Sequence, residues 1–138
     1  MDYASFKKVN ENLLLVKFRN VIPDAMDFEE YLSQLRKNYE SFKNIFVVVF
    51  DSNDSKYLSS ELRNRQAEWI RENQGLIKNK CLLSIYVISN PIIRFILEAI
   101  FLMQKSPVPY QIVRSLDNAQ EIAASFFDMT SVSVEEVR

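Results

Sequence analysis

Apolar residues recur along the chain with two different periods, and the changes of period mark out its elements. Residues 6–9 form a short candidate strand, and Asn10-Glu11-Asn12 follow with turn chemistry. Residues 13–18 read as a second strand, antiparallel to the first. Pro23 and Asp24 mark a boundary. Beyond it Met26, Phe28, Leu32, Leu35 and Tyr39 recur at helical spacing, with Glu29, Glu30, Arg36 and Lys37 between them. Residues 45–50 are a continuous apolar run rich in β-branched side chains, as expected of a strand covered on both faces. A polar loop follows, Asp51-Ser52-Asn53-Asp54-Ser55. Ser59 or Ser60 then caps a helix that runs to about Asn79, with Leu62, Trp69, Ile70, Leu76 and Ile77 as its apolar stripe. Residues 82–88 predict a second buried strand. Asn90 caps the next helix, Pro91 takes its first position, where the missing N–H costs nothing, and the helix ends near Lys105. Pro107 and Pro109 hold the chain extended before a short strand at residues 110–113. Asp117 starts a last helix carrying Ile122, Ala123, Phe126 and Phe127. The tail 130–138 has no clear period and is expected to fray.

This alternation predicts a single α/β domain: a mixed, mostly parallel sheet of about five strands with about four helices. Right-handed crossovers along a strand order that never reverses would put every connecting helix on one face. The central strands are apolar on both sides, so the expectation is that the strand order reverses. The other solution is a second subunit covering the open face.

Composition narrows the chemistry. Among 138 residues, 48% are hydrophobic and 25% charged, which excludes whole-chain disorder. The absence of histidine, the single cysteine and the single glycine exclude Ser-His-Asp triads, HExxH zinc sites, internal disulfides, P-loops and GxGxxG turns. No cofactor and no enzymatic activity are expected. The net charge of −1 gives no drive toward nucleic acid, and Arg63, Arg65 and Arg71 are interleaved with Glu61, Glu68 and Glu72, the pattern of a solvated helix face. No secretory leader pattern is apparent, and the most apolar stretch, residues 92–103, is interrupted by Arg94 and Glu98 and falls short of the ~20 residues a membrane span needs. A cytoplasmic protein is expected, with Cys81 as a buried small hydrophobe.

Three places could carry function. Gln66 and Asn73 lie in the apolar stripe of the second helix and must find hydrogen bonds, either from backbone at a loop or from a ligand or partner. On the third helix, Ile92, Ile96, Ala99, Ile100 and Met103 define one face and Arg94, Glu98 and Lys105 the other, with Phe101 among the charges and Phe95, Leu97 and Leu102 on the flanks. The apolar arc is wider than one sheet contact needs, so Phe95, Phe101 and Leu102 form either a partner surface, most simply for a homodimer, or a surface covered by the last helix or the tail. The loop after the third strand carries Asp51 and Asp54, where ligands bind in open α/β sheets. Paired carboxylates there could hold Mg²⁺, as in response-regulator receiver domains. Those domains also need an acidic pair after the first strand and a lysine after the last, and Arg19-Asn20 and Arg114-Ser115 stand in those places. Asp51 and Asp54 therefore read as turn-shaping residues.

An N-terminal strand pair followed by alternating helix and strand resembles the STAS domain, the fold of anti-sigma-factor antagonists and of the cytoplasmic tails of sulfate transporters. Arg65-Gln66-Ala67-Glu68-Trp69-Ile70-Arg71-Glu72-Asn73, Ser89-Asn90-Pro91-Ile92-Ile93-Arg94 and Pro107-Val108-Pro109-Tyr110 are similar to small stand-alone bacterial STAS-like proteins. The resemblance spans roughly residues 13–127. It implies a regulatory module that binds a protein partner and is switched by phosphorylation of a serine after a central strand. Asp51-Ser52 occupies the similar place, although the family's short Asp-Ser-Ser-Gly turn is replaced by a longer loop, so that Ser52, Ser55, Ser59 and Ser60 are the candidate acceptors. The alternative expectation is a small-molecule or lipid-binding domain, with a pocket at the strand C-termini.

Overall fold

The computed structural model describes residues 2–137, with side chains as far as Phe127. The sheet has five strands in the order β1-β2-β3-β4-β5. These are β1 (Ala4–Asn10), β2 (Leu13–Phe18), β3 (Phe46–Asp51), β4 (Cys81–Val87) and β5 (Tyr110–Val113). β1 pairs antiparallel with β2 across the Asn10–Asn12 turn, and the remaining neighbours are parallel. The helices are α1 (Ala25–Ser41), α2 (Ser60–Glu72), α3 (Gln74–Lys80), α4 (Pro91–Met103) and α5 (Leu116–Val137).

The strand order does not reverse, contrary to the expectation from the sequence. Each parallel crossover steps the same way, so α1, α2, α3 and α4 share one face of the sheet. Alternate residues Leu14, Val16, Phe46, Val48 and Phe50 point into that face. The intervening residues Leu13, Val47, Val49, Leu83, Ile85 and Val87 point to the other, where Ala119 and Ala123 of α5 pack on them. The terminal helix crosses no strand and is free of the handedness rule. It therefore covers the second face with neither a reversal nor a second subunit.

Ser59 and Asn90 cap helices as the sequence allows, and Asp24, read only as a boundary, caps α1. Asp24 accepts from the N–H of Asp27 at 2.7 Å, Ser59 from Leu62 at 3.3 Å and Asn90 from Ile92 at 2.8 Å. The last helix differs: Ser115, not Asp117, accepts from the N–H of Asn118 at 3.1 Å. The helix count is five rather than four, because the predicted second helix breaks at Asn73, whose backbone is non-helical. Its amide donates to the Trp69 carbonyl at 2.9 Å, closing α2, and its own carbonyl accepts from Ile77 at 3.0 Å, opening α3. Met26 is 81% exposed instead of joining the buried stripe of α1, and Tyr31, not counted in that stripe, is buried in it. The backbone of α5 continues through Val137, across the tail for which fraying is expected. Its side chains lie outside the described residues.

Arg65 clamps α1 to α2. Its guanidinium takes Glu29 in a two-pronged pair at 2.6 and 3.1 Å and Glu72 at 3.0 Å. The hydrogen bonds to Glu29 do most to hold its pKa above the usual range. The carboxylates are half exposed, so solvent screens the network. Arg65→Met is expected to cost about 1 kcal/mol in urea melts, an effect that shrinks as salt is added.

Candidate functional site

Between the sheet and the four helices of the first face lies a cavity of about 120 Å³. Its floor is aromatic because three adjacent parallel strands each place a ring on the helix-facing side, Phe50 in register with Tyr86 and Phe18 two residues beyond Val16, the partner of Phe50. Phe18, Phe50 and Tyr86 form a row, with centroids 6.2 Å and 5.0 Å apart and ring planes within 13° and 9° of parallel. Tyr110 and Phe101 continue the row toward β5, 4.7 Å from each other. The roof includes Trp69 and Ile70 of α2 with Ile93, Ile96 and Ile100 of α4. At the C-terminal ends of β3 and β4 the wall is the loop after β3, through Ser52, Ser55, Lys56 and Leu58.

Polar groups are set into this apolar shell. Tyr3, Tyr31, Tyr39 and Tyr86 all line it. Tyr31 and Tyr39 are only 4% and 3% exposed, yet among the described residues no protein group hydrogen-bonds either hydroxyl. No fully buried side-chain oxygen of the described core is left unpaired, so these hydroxyls keep some open space beside them, and both residues line the cavity. Burial pushes both phenols well above their ordinary range, and neighbouring phenols add to the shift. Burial likewise raises Tyr3 and Tyr86, with the Cys81 thiol adding at Tyr86 and the Ser84 hydroxyl opposing. The hydroxyls therefore stay protonated and act as neutral donors or acceptors. Cys81 is buried as expected and sits beside Ser84 at 3.8 Å. Burial pushes its thiol up to about 11, so it is a poor nucleophile at neutral pH.

The residues singled out from the sequence fall into separate places. Gln66 lines the cavity without a protein partner among the described residues, whereas Asn73 is used up in the α2–α3 junction and does not reach it. Ser52 and Ser55 line the cavity. Asp51 accepts from the N–H of Asn53 at 3.3 Å, Asp54 is exposed, Ser59 caps α2, and Ser60 is exposed at its first turn. On α4, Ile93, Ile96 and Ile100 are the buried positions. The helix is thus rotated by roughly 50° from the face read off its sequence, at ~100° per residue. Ile92 and Met103 are exposed as a result, beside Phe95 and Leu102. Phe101 instead turns inward against Tyr86 and Tyr110.

Sequence reasoning missed the tyrosines and Asn53. The Asn53 side chain accepts from both the N–H and the hydroxyl of Ser89 at 3.1 Å and reaches the Arg114 carbonyl at 3.5 Å. It ties together the loops after β3, β4 and β5, and so holds the rim of the cavity. Nothing local in the sequence marks it out from its neighbours Asp51 and Asp54. Among the described residues no group of histidine, cysteine or carboxylate side chains could hold a metal ion, and no helix is long and apolar enough to cross a membrane. Neither a family model nor a curated protein matches this chain.

Proposed function

We propose that the chain is a non-enzymatic binding module that takes a small, largely apolar molecule into the cavity between its sheet and α1–α4. The observation that carries this reading is the aromatic cavity with unpaired phenol hydroxyls at Tyr31 and Tyr39. Natural cores fill their interior and pair their buried polar atoms. A core that leaves 120 Å³ open and lines it with phenols that make no protein hydrogen bond has the make-up of a ligand site. Its size approaches the ~150 Å³ of an apolar cavity that admits benzene. One ring or a short branched chain is therefore the scale of the occupant. The chemistry that fits is binding: neutral phenols and amides orient a guest, and no activated nucleophile or base stands beside them. A regulatory use, in which occupancy alters a partner surface, is the form this reading takes on the STAS-like expectation.

Trp69 is the chain's one tryptophan and lines the cavity, so its fluorescence reports occupancy. Phenol, indole and toluene at millimolar concentration are expected to shift its emission and to raise the melting temperature. No change in either readout across the panel overturns the proposal.

The exposed α4 stripe of Ile92, Phe95, Leu102 and Met103 favours a second reading, a protein-docking surface. Phe95→Glu with Leu102→Glu tests it by solution mass. A wild-type chain that stays monomeric at high concentration and matches the double variant removes the homodimer form of that reading.

A further inference from the structure

The cavity wall is unequal in charge. Among the residues that line it, Lys56 is the one ionic side chain, and no acidic residue reaches it. Among the described residues no carboxylate pairs with Lys56. Ser52 and Ser55 line the cavity from the same loop. Ser52 is 7% exposed, and among the described residues neither serine hydroxyl has a hydrogen-bond partner. The loop is held in shape: the N–H of Ser55 donates to the Ser52 carbonyl at 3.1 Å, and the N–H of Ser52 to Val87 at 2.9 Å. Two hydroxyls that make no protein hydrogen bond, on the same loop as a lysine with no carboxylate partner, leave donors free for an anion. The body of the cavity adds the second half of the specification. Stacked at close to the strand spacing, Phe50 and Tyr86 turn ring edges toward the helices. Ring edges carry the positive end of the aromatic quadrupole and favour the face of a flat π-system.

Resting on the small-molecule reading above, we infer that the ligand is a small aromatic carboxylic acid bound as its anion. Its ring lies over the Phe18–Phe50–Tyr86 row and its carboxylate sits at Lys56, Ser52 and Ser55. The ammonium and the two hydroxyls supply donors to a group that accepts only, and the ionised partner makes each bond stronger than its neutral counterpart. A neutral amide of the same shape loses that gain, which for a charge-assisted pair amounts to about ten- to a hundredfold in affinity.

The test uses the full chain and benzoate, benzamide and cyclohexanecarboxylate as probes, titrated against Trp69 fluorescence and by calorimetry. Benzoate is expected to bind at least about tenfold tighter than benzamide, with a preference that weakens as salt is added. Lys56 is exposed, so Lys56→Met is expected to fold, and it should remove the preference while Lys56→Arg keeps most of it. Benzamide binding as tightly as benzoate, or a preference that survives Lys56→Met, overturns the acid assignment and leaves the cavity reading in place. Cyclohexanecarboxylate matching benzoate overturns the aromatic part. Binding of none of the three overturns the acid assignment; if phenol, indole and toluene also fail, the cavity reading falls with it.

Discussion

Phe50→Ala should destabilise the protein by about 3–5 kcal/mol, a large fraction of the 5–15 kcal/mol that holds a small domain folded. Phe50 is buried in the middle strand, and its ring contacts both Phe18 and Tyr86. Removing it deletes the buried ring, both ring contacts and the centre of the cavity floor in one step. The space released joins a cavity that is already open, so neighbouring side chains have little reason to collapse into it. The larger cavity should then respond more strongly to small neutral probes than the wild type does. A guest that binds only the folded form at 100 times its Kd returns about 2.7 kcal/mol. Val49→Ala is the control. Val49 is fully buried in the same strand but faces α5, away from the cavity. Urea melts with and without indole decide the matter. Rescue of Phe50→Ala and not of Val49→Ala is the expected pattern. Equal rescue of both, or a loss under about 1 kcal/mol for Phe50→Ala, is the result this account does not survive.

How much of this was legible in the sequence differs from element to element, for physical reasons. The β-branched run of β3, the boundary at Asp24 and the caps Ser59 and Asn90 are local signals, and each stands where the sequence allowed it. The failures are tertiary. Strand order depends on which face the terminal helix takes, and no pattern within α5 states that. The rotation of α4 arose because its apolar arc is wider than one face, so within that arc packing against the sheet decides which residues turn inward. The cavity was half legible. The loop carrying Ser52 and Ser55 was expected at the strand C-termini, and Gln66 was marked as a polar side chain needing a partner. The aromatic row was not, because Phe18, Phe50 and Tyr86 come from three separate strands and meet only through parallel register. Tyr31 and Tyr39 look like ordinary members of an amphipathic helix until the emptiness beside their hydroxyls is seen.

The same buried phenols predict a steep alkaline limit to stability. Burial raises the pKa values of Tyr3, Tyr31, Tyr39 and Tyr86 above the ordinary 10.0 and moves Cys81 from 9.0 to about 11. In the unfolded chain these groups lose their protons at ordinary pH values. In the native chain they keep them. As pH rises past 9, the unfolded state therefore binds fewer protons than the native state, and stability falls with increasing pH. Cys81 begins the decline, in the window from 9 to about 11. Each buried phenol adds a slope approaching 1.4 kcal/mol per pH unit once the pH exceeds 10. Four such groups remove about 5 kcal/mol within the first unit or so above 10, enough to unfold a domain of ordinary stability. Circular dichroism followed with tyrosinate absorbance tests the coupling. The tyrosinate signal of these four phenols should appear together with the loss of secondary structure. Cys81→Ala should move the onset of the decline upward, toward 10, because its group no longer titrates in the unfolded chain. Tyr31→Phe should make the decline shallower for the same reason. A chain that ionises these tyrosines while still folded would mean that water or hydroxide already reaches the cavity freely, and the phenols would then not be the buried neutral groups on which ligand binding is argued.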